Sequence, residues 1–197
     1  PYVVKGMDFS FSGISSAANA AYDEGVPIED VCRGLEETVF GMLTEVSERA
    51  LSLTGADELV LGGGVGQNDR LKGMLETMCD ERGAAFYAPE AKFLRDNAGM
   101  IAVLGAKMYD AGDTISIADS RVRPNFRPDE VEVTWRSAEP IHASERVERA
   151  RGAEAIVELE RADGRAYKRR LSKAYRHPEL DRRLRRRRTR SEARLTS

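Results

Sequence analysis

The sequence predicts an α/β protein followed by a smaller, basic unit made of a β-hairpin and a helix. Three observations predict it. Between Leu59 and Ala88 a short apolar strand, a helix with 3.6-residue periodicity and a second strand follow one another, the pattern of a parallel crossover. Between Ala155 and Leu171 two alternating segments flank a glycine turn, the pattern of a hairpin. Charge also divides along the chain: residues 1–135 carry 12 Lys+Arg against 23 Asp+Glu, and residues 136–197 carry 19 against 10. The balances of −11 and +9 make up the net charge of −2. Such asymmetry indicates two units with different partners.

The elements follow in order. Gly6-Met7-Asp8-Phe9-Ser10-Phe11-Ser12-Gly13 alternates phenylalanine with small polar residues and fits a strand or a loop. Pro27 stands in the first turn of a helix in which Leu35, Val39, Met42, Leu43, Val46, Ala50 and Leu53 recur at three- and four-residue steps up to Gly55. Leu59-Val60-Leu61 is a buried strand entering Gly62-Gly63-Gly64. A helix over 68–82 puts Leu71, Met74, Leu75 and Met78 on one face and stops at Gly83. Residues 84–88 form the next strand, ended by Pro89. A further helix over 97–111 has Asp96 as its cap and Gly112 behind it. Residues 121–128 hold two prolines and three arginines, and 131–135 alternate as a last strand. The first unit is thus 1–136, a polar linker covers 137–150, and the second unit is 151–197. There, 155–160 and 165–171 pair around Ala162-Asp163-Gly164, and Pro178 opens a very basic helix running towards Leu195.

Composition excludes several classes. No apolar run reaches the roughly 20 residues that span a bilayer, and no charged-then-apolar leader opens the chain. Cys32 and Cys79 lie far apart without a CxxC partner, which excludes a zinc or disulfide framework and fits a reducing cytoplasm.

Four constellations carry candidate chemistry. The turn Gly62-Gly63-Gly64-Val65-Gly66-Gln67-Asn68 lets backbone approach a ligand, and free amides at the following helix N-terminus attract phosphate; a tight connection that binds nothing is the alternative. It is no P-loop, lacking GK[ST], and Gln67 stands where the dinucleotide fingerprint needs its third glycine, which disfavours a nicotinamide enzyme. Asp96, in Arg95-Asp96-Asn97-Ala98-Gly99-Met100-Ile101-Ala102, is either a helix cap or an oxygen ligand for a cation. The Gly6–Gly13 motif is weak by itself. In the tail, Gly152-Ala153-Glu154-Ala155, Lys168 in the second hairpin strand and Glu192 on the helix parallel the order of a protein-kinase N-lobe: nucleotide loop, phosphate-gripping lysine, orienting glutamate. The loop is degenerate for that role. The arginine run over 182–190 is either a nucleic-acid patch or a solvated helix face. His142 and His177, the only histidines, sit too far apart in sequence to suggest a shared site.

Taken together, GMDFSFSG, GGGVGQNDRL, RDNAGMIA and VRPNFRPDEVEVTW resemble the C-terminal half of the tRNA threonylcarbamoyladenosine transferase family, whose members have an actin/Hsp70-like ATPase fold. The tail, with GAEA, YKRRLSKAYRHPELD and RRRRTRSEARL, is similar to the start of the small Rio-like kinase of the KEOPS complex. Both in one chain resemble the archaeal bifunctional fusion. The resemblance implies that Gly62, Gly63, Gly64 and Asn68 bind the nucleotide part of threonylcarbamoyl-AMP. It implies that Asp96 ligates one divalent metal ion (iron, zinc or magnesium). It also implies that Gly152, Ala153, Glu154, Ala155, Lys168 and Glu192 serve ATP with magnesium. Partners implied are tRNA and other KEOPS subunits, with no membrane. Gly66-Gln67 and Leu94-Arg95 depart from the commoner pattern of the family, the second in a way typical of archaeal forms. The family's histidine pair, the kinase catalytic loop and its metal-binding aspartate are not in the sequence, so the chain is expected to be an internal fragment that does not catalyse alone. A sugar-kinase-like ATPase and a non-catalytic basic tRNA-binding scaffold are the rival expectations. With only four lysines among residues 1–135, the acidic unit also suits a high-salt cytoplasm.

Overall fold

The computed structural model describes residues 1–136, 149–160 and 165–193. The first unit opens with two short antiparallel strands, β1 (Val4–Lys5) and β2 (Asp8–Phe9), turning at Gly6, whose φ of 58° is open to glycine. Helix α1 (Ile14–Asp23) follows, then the 27-residue α2 (Ile28–Thr54), which Gly55 ends at φ 70°. Strand β3 (Glu58–Val60), α3 (Asp69–Arg82) and β4 (Ala85–Tyr87) form the expected crossover. The strands are parallel, with Leu59 opposite Phe86. Helix α4 (Ala98–Asp110) completes the regular part of the unit.

The second unit is a three-stranded antiparallel sheet, β5 (Arg149–Arg151), β6 (Ala155–Glu160) and β7 (Arg165–Arg170), followed by α5 (Pro178–Ala193). The hairpin is the one the alternation predicts, whereas β5 lies partly in the stretch expected as linker. The expected turn at 162–164, the linker over 137–148 and the helix end at Leu195 lie outside the described residues.

Four expectations need correction. The strand expected to be buried at Leu59-Val60-Leu61 is half-buried at Leu59 and Leu61 and exposes Val60. Residues 131–135 form no strand, because no other strand among the described residues pairs with them. Helix α4 is capped by Asn97, not Asp96: the Asn97 side-chain oxygen accepts from the Met100 N–H at 2.9 Å. In α2, Leu35 and Leu53 are exposed, while Phe40, Gly41, Met42, Thr44, Glu45, Glu48 and Leu51 are buried. The inward face of α2 is therefore partly acidic, because it meets cations from the second unit.

The core lies where α2 meets α3. Phe40, Leu51, Leu71, Met74, Leu75, Met78 and Cys79 form one cluster, and Tyr175 from the second unit is a member of it. Tyr2, Ile14 and Met42 form another with Leu184 of α5. Both clusters therefore contain a residue from each side of the charge divide. Burying such side chains stabilises by about 1.5–3 kcal/mol each relative to exposure.

Candidate functional site

Parallel pairing decides where the first unit's candidate residues emerge. Because β3 and β4 run the same way, Gly62-Gly63-Gly64 leaves β3 at the same sheet edge at which residues 88–96 leave β4. The crevice beyond the carboxyl ends of parallel strands is where ligands bind in open α/β sheets. The pairing extends to Leu61, whose N–H donates to the Tyr87 carbonyl at 2.9 Å.

The glycine turn is exposed at Gly62, Gly63 and Gly64, and a side chain at any of them would meet open space. Only Gly63 needs glycine for its backbone, at φ 89°. Gly66 needs it for packing: an added Cβ would lie 3.1 Å from Leu61 Cγ. Residues 64–67 make one 3-10 turn into α3. Asn68 is committed locally. Its side-chain oxygen caps α3 by accepting from the N–H groups of Arg70 and Leu71, at 2.8 and 3.2 Å, and its amide donates to Glu36 of α2 at 3.0 Å. Next to it, Arg70 forks onto Glu37 at 2.7 and 2.8 Å, and that bond holds the Glu37 carboxyl below the usual carboxylate range.

Asp96 is exposed at the mouth of α4. Among the described residues no group of three His, Cys, Asp or Glu side chains is placed to hold a metal ion. Asp96 thus offers one carboxylate oxygen donor, and the residues described do not by themselves fit the divalent ion that the resemblance implies.

In the second unit the fold brings Lys168 of β7 to Glu192 in the last turn of α5, and the two form an ion pair. Arg170 reaches the other oxygen of Glu192 at 2.6 Å. The bond from Lys168 holds the Glu192 carboxyl below its ordinary value, so it is anionic at neutral pH. Residues 152–155 form the tight connection between β5 and β6, closed by Gly152 N–H donating to the Ala155 carbonyl at 2.9 Å. Ala153 and Ala155 are buried, and the side chain of Glu154 turns away to Arg176 and Arg188.

Sequence reasoning missed the charged seam between the units. Glu45, with no exposed side-chain surface, accepts from Tyr2 Oη at 2.7 Å, Arg176 at 2.6 Å and Arg188 at 2.7 Å. Arg176, equally buried, also reaches Glu154 at 2.9 Å. Glu48 pairs with Lys173 and accepts from Tyr175 Oη at 3.2 Å. Burial would push the Glu154 carboxyl up, but Arg176 and Arg188 beside it prevail and hold it at about 2. Burial likewise raises the Tyr2 and Tyr175 hydroxyls well above the ordinary phenol value, so both remain neutral donors. The available signal was the spacing of Glu45 and Glu48 with Met42 and Leu51, at three-residue steps on one helix face.

Through α2 this seam connects the two candidate nucleotide regions. Glu36 of α2 holds Asn68 beside the glycine turn, and Glu45 holds the two arginines that fix Glu154 in the 152–155 connection.

The family model of tRNA N6-adenosine threonylcarbamoyltransferase matches residues 1–103. Proteins named probable bifunctional tRNA threonylcarbamoyladenosine biosynthesis protein are similar along the chain. The one from Natronomonas pharaonis is 70% identical over 201 residues, covering 100% of this chain and 37% of its own length. That from Haloarcula marismortui is 69% identical, covering 100% and 36%. That from Methanospirillum hungatei is 55% identical, covering 99% and 37%. The chain thus spans just over a third of the length of these curated relatives.

Proposed function

The chain belongs to the tRNA N6-adenosine threonylcarbamoyltransferase family, and from that premise we propose that the intact protein forms threonylcarbamoyladenosine in tRNA. The exocyclic amine of the adenosine beside the anticodon attacks the carbamoyl carbonyl of threonylcarbamoyl-AMP. A carbon–nitrogen bond forms, the bond to the phosphate oxygen breaks, the amine loses a proton and AMP leaves. The observation that carries this reading is the shared sheet edge: the glycine turn and the segment ending at Asp96 emerge together beyond two parallel strands.

Within this chain, Gly62, Gly63 and Gly64 admit the adenylate close to the backbone, whereas the amides of Arg70 and Leu71 at the start of α3 are already taken by the Asn68 cap. Asn68 positions that turn by capping α3 and tying it to Glu36. Asp96 supplies one oxygen ligand of the family's divalent metal ion. One carboxylate is not a complete site.

The similarity of relatives named bifunctional extends through the tail and supports a fused kinase-like ATP site with magnesium. There Lys168 grips phosphate oxygens and Glu192 holds its ammonium in position, an arrangement that protein kinases require for phosphoryl transfer. That similarity also speaks against a lone sugar-kinase-like ATPase and against a non-catalytic scaffold. KEOPS subunits are the proposed partners and the cytoplasm the proposed location; no helix among the described residues is long and apolar enough to cross a membrane.

The test is threonylcarbamoylation of a tRNA transcript by the intact protein. Asp96→Ala is expected to lower the rate by about 100-fold or more, at least the roughly 10–100-fold that removing an outer-shell partner of a metal costs; unchanged activity removes Asp96 from the site. Lys168→Ala is expected to abolish ATP turnover while the single-turnover transfer of a supplied threonylcarbamoyl-AMP persists.

A further inference from the structure

A groove of about 1540 Å³ lies between α2 and α5. We propose that it holds the phosphodiester backbone of an RNA strand and leads it towards the glycine turn, an inference that rests on tRNA being the substrate. From α5 the groove is lined by Arg182, Arg183, Arg186, Arg187 and Arg190, and from α2 by Arg33. The acids lining it are Asp30, Glu37 and Glu179.

Four observations favour a polyanion here. The five α5 arginines have no ion-pair partner among the described residues, whereas Arg185 and Arg188 on the same helix are paired with Asp181, Glu45 and Glu154. Glu37 is already taken by Arg70 and Arg33, and the six lining arginines still outnumber Asp30, Glu37 and Glu179 by three, which leaves the groove at +3. Arg182, Arg186 and Arg190 recur at four-residue steps, about 6 Å apart along the helix, an interval near that of successive phosphates on a nucleic-acid strand. Finally, the groove adjoins the candidate site: Glu37 lines it and pairs with Arg70, two residues beyond Asn68.

The lining also discriminates between classes of partner. Leu180 is its one large apolar side chain, so an anchoring pocket of the kind that dominates protein–protein interfaces is missing among the described residues. A polar, strongly cationic and evenly spaced surface is what binds phosphates.

The experiment uses the intact protein and a fluorescently labelled tRNA transcript, with affinity read by anisotropy across a salt series and threonylcarbamoylation followed in parallel. The triple variant Arg182→Ala, Arg186→Ala, Arg190→Ala is expected to bind at least about 30-fold more weakly near 0.1 M salt. Its salt slope should fall by about two, a little under one for each phosphate that the protein no longer neutralises. Its melting temperature should not fall, because Ala sustains the helix and the like-charge repulsion along it is removed. The matching triple lysine variant keeps the charges and should recover most of the affinity. Unchanged tRNA affinity in the alanine triple, with wild-type transfer intact, overturns the groove and leaves the functional reading standing. Wild-type protein that neither binds nor modifies tRNA overturns both. Loss of a co-purifying acidic protein with tRNA binding intact makes the groove a protein interface and also overturns the proposal.

Discussion

Helix α5 has two kinds of arginine, and their surroundings differ more than their sequence neighbourhood does. Arg188 points into the seam, 16% exposed, bonded to Glu45 and Glu154 beside the fully buried Arg176. Arg182, Arg183, Arg186, Arg187 and Arg190 stand in the open groove with no acid partner among the described residues. The basic excess of the tail is therefore two separate quantities. One part matches the acidic excess of the first unit and binds the two units together. The other is left over, available to a ligand.

The largest test of this difference is Glu45→Gln. It keeps the shape but leaves Arg176 and Arg188 short of a buried carboxylate, and breaking one side of such a cluster costs about 3–5 kcal/mol. The urea midpoint should fall accordingly with little change in slope. A loss below about 1 kcal/mol would mean that the seam behaves like an exposed pair.

Acid offers a second test. Glu154 has its folded carboxyl held at about 2, below the 4.5 of the unfolded chain, so its pairing stabilises above about pH 4.5 and is lost as pH falls towards 2. Denaturation midpoints should drop across that window, and Glu154→Gln should flatten the drop. The exposed Lys168–Glu192 pair, each partner 45% exposed, sharpens the contrast from the other side. Glu192→Gln should cost at most about 1 kcal/mol of stability while ATP turnover falls steeply, because an exposed pair is screened by water and its value lies in positioning Lys168.

Much of this was legible in the sequence, for local reasons. Leu71, Met74, Leu75 and Met78 share a helix face by periodicity alone, and all four are buried. The order strand, glycine turn, helix, strand implied a parallel pair, and β3 and β4 form one. The seam was not legible because its partners lie 131 and 143 residues apart, beyond any local rule, and because acids on a helix ordinarily signal the solvent side. Asp96 and Asn97 are both good capping residues, so composition did not choose between them. Strand β5, three residues of Arg-Ala-Arg, is too short and too polar to give an alternation signal. Among candidate site residues, the pairing of Lys168 with Glu192 follows an order visible in the sequence, whereas the commitment of Asn68 to Glu36 and to the cap of α3 emerged only from the fold.

The smallest expected effect has the opposite sign. Arg186 stands four residues from both Arg182 and Arg190, and like charges at that spacing destabilise a helix by about 0.2–0.5 kcal/mol per pair. Arg186→Gln removes both repulsions with almost no change in helix propensity. At low salt it should therefore stabilise the protein by about 0.5 kcal/mol, read as a small rise in the urea midpoint. At about 1 M salt, where the screening length shrinks to about 3 Å, the gain should fade. The penalty from Glu45→Gln should persist there, because the seam is shielded from ions. If Arg186→Gln instead destabilised at every salt concentration, Arg186 would be engaged like Arg188, and the division between the two arginine faces would be lost.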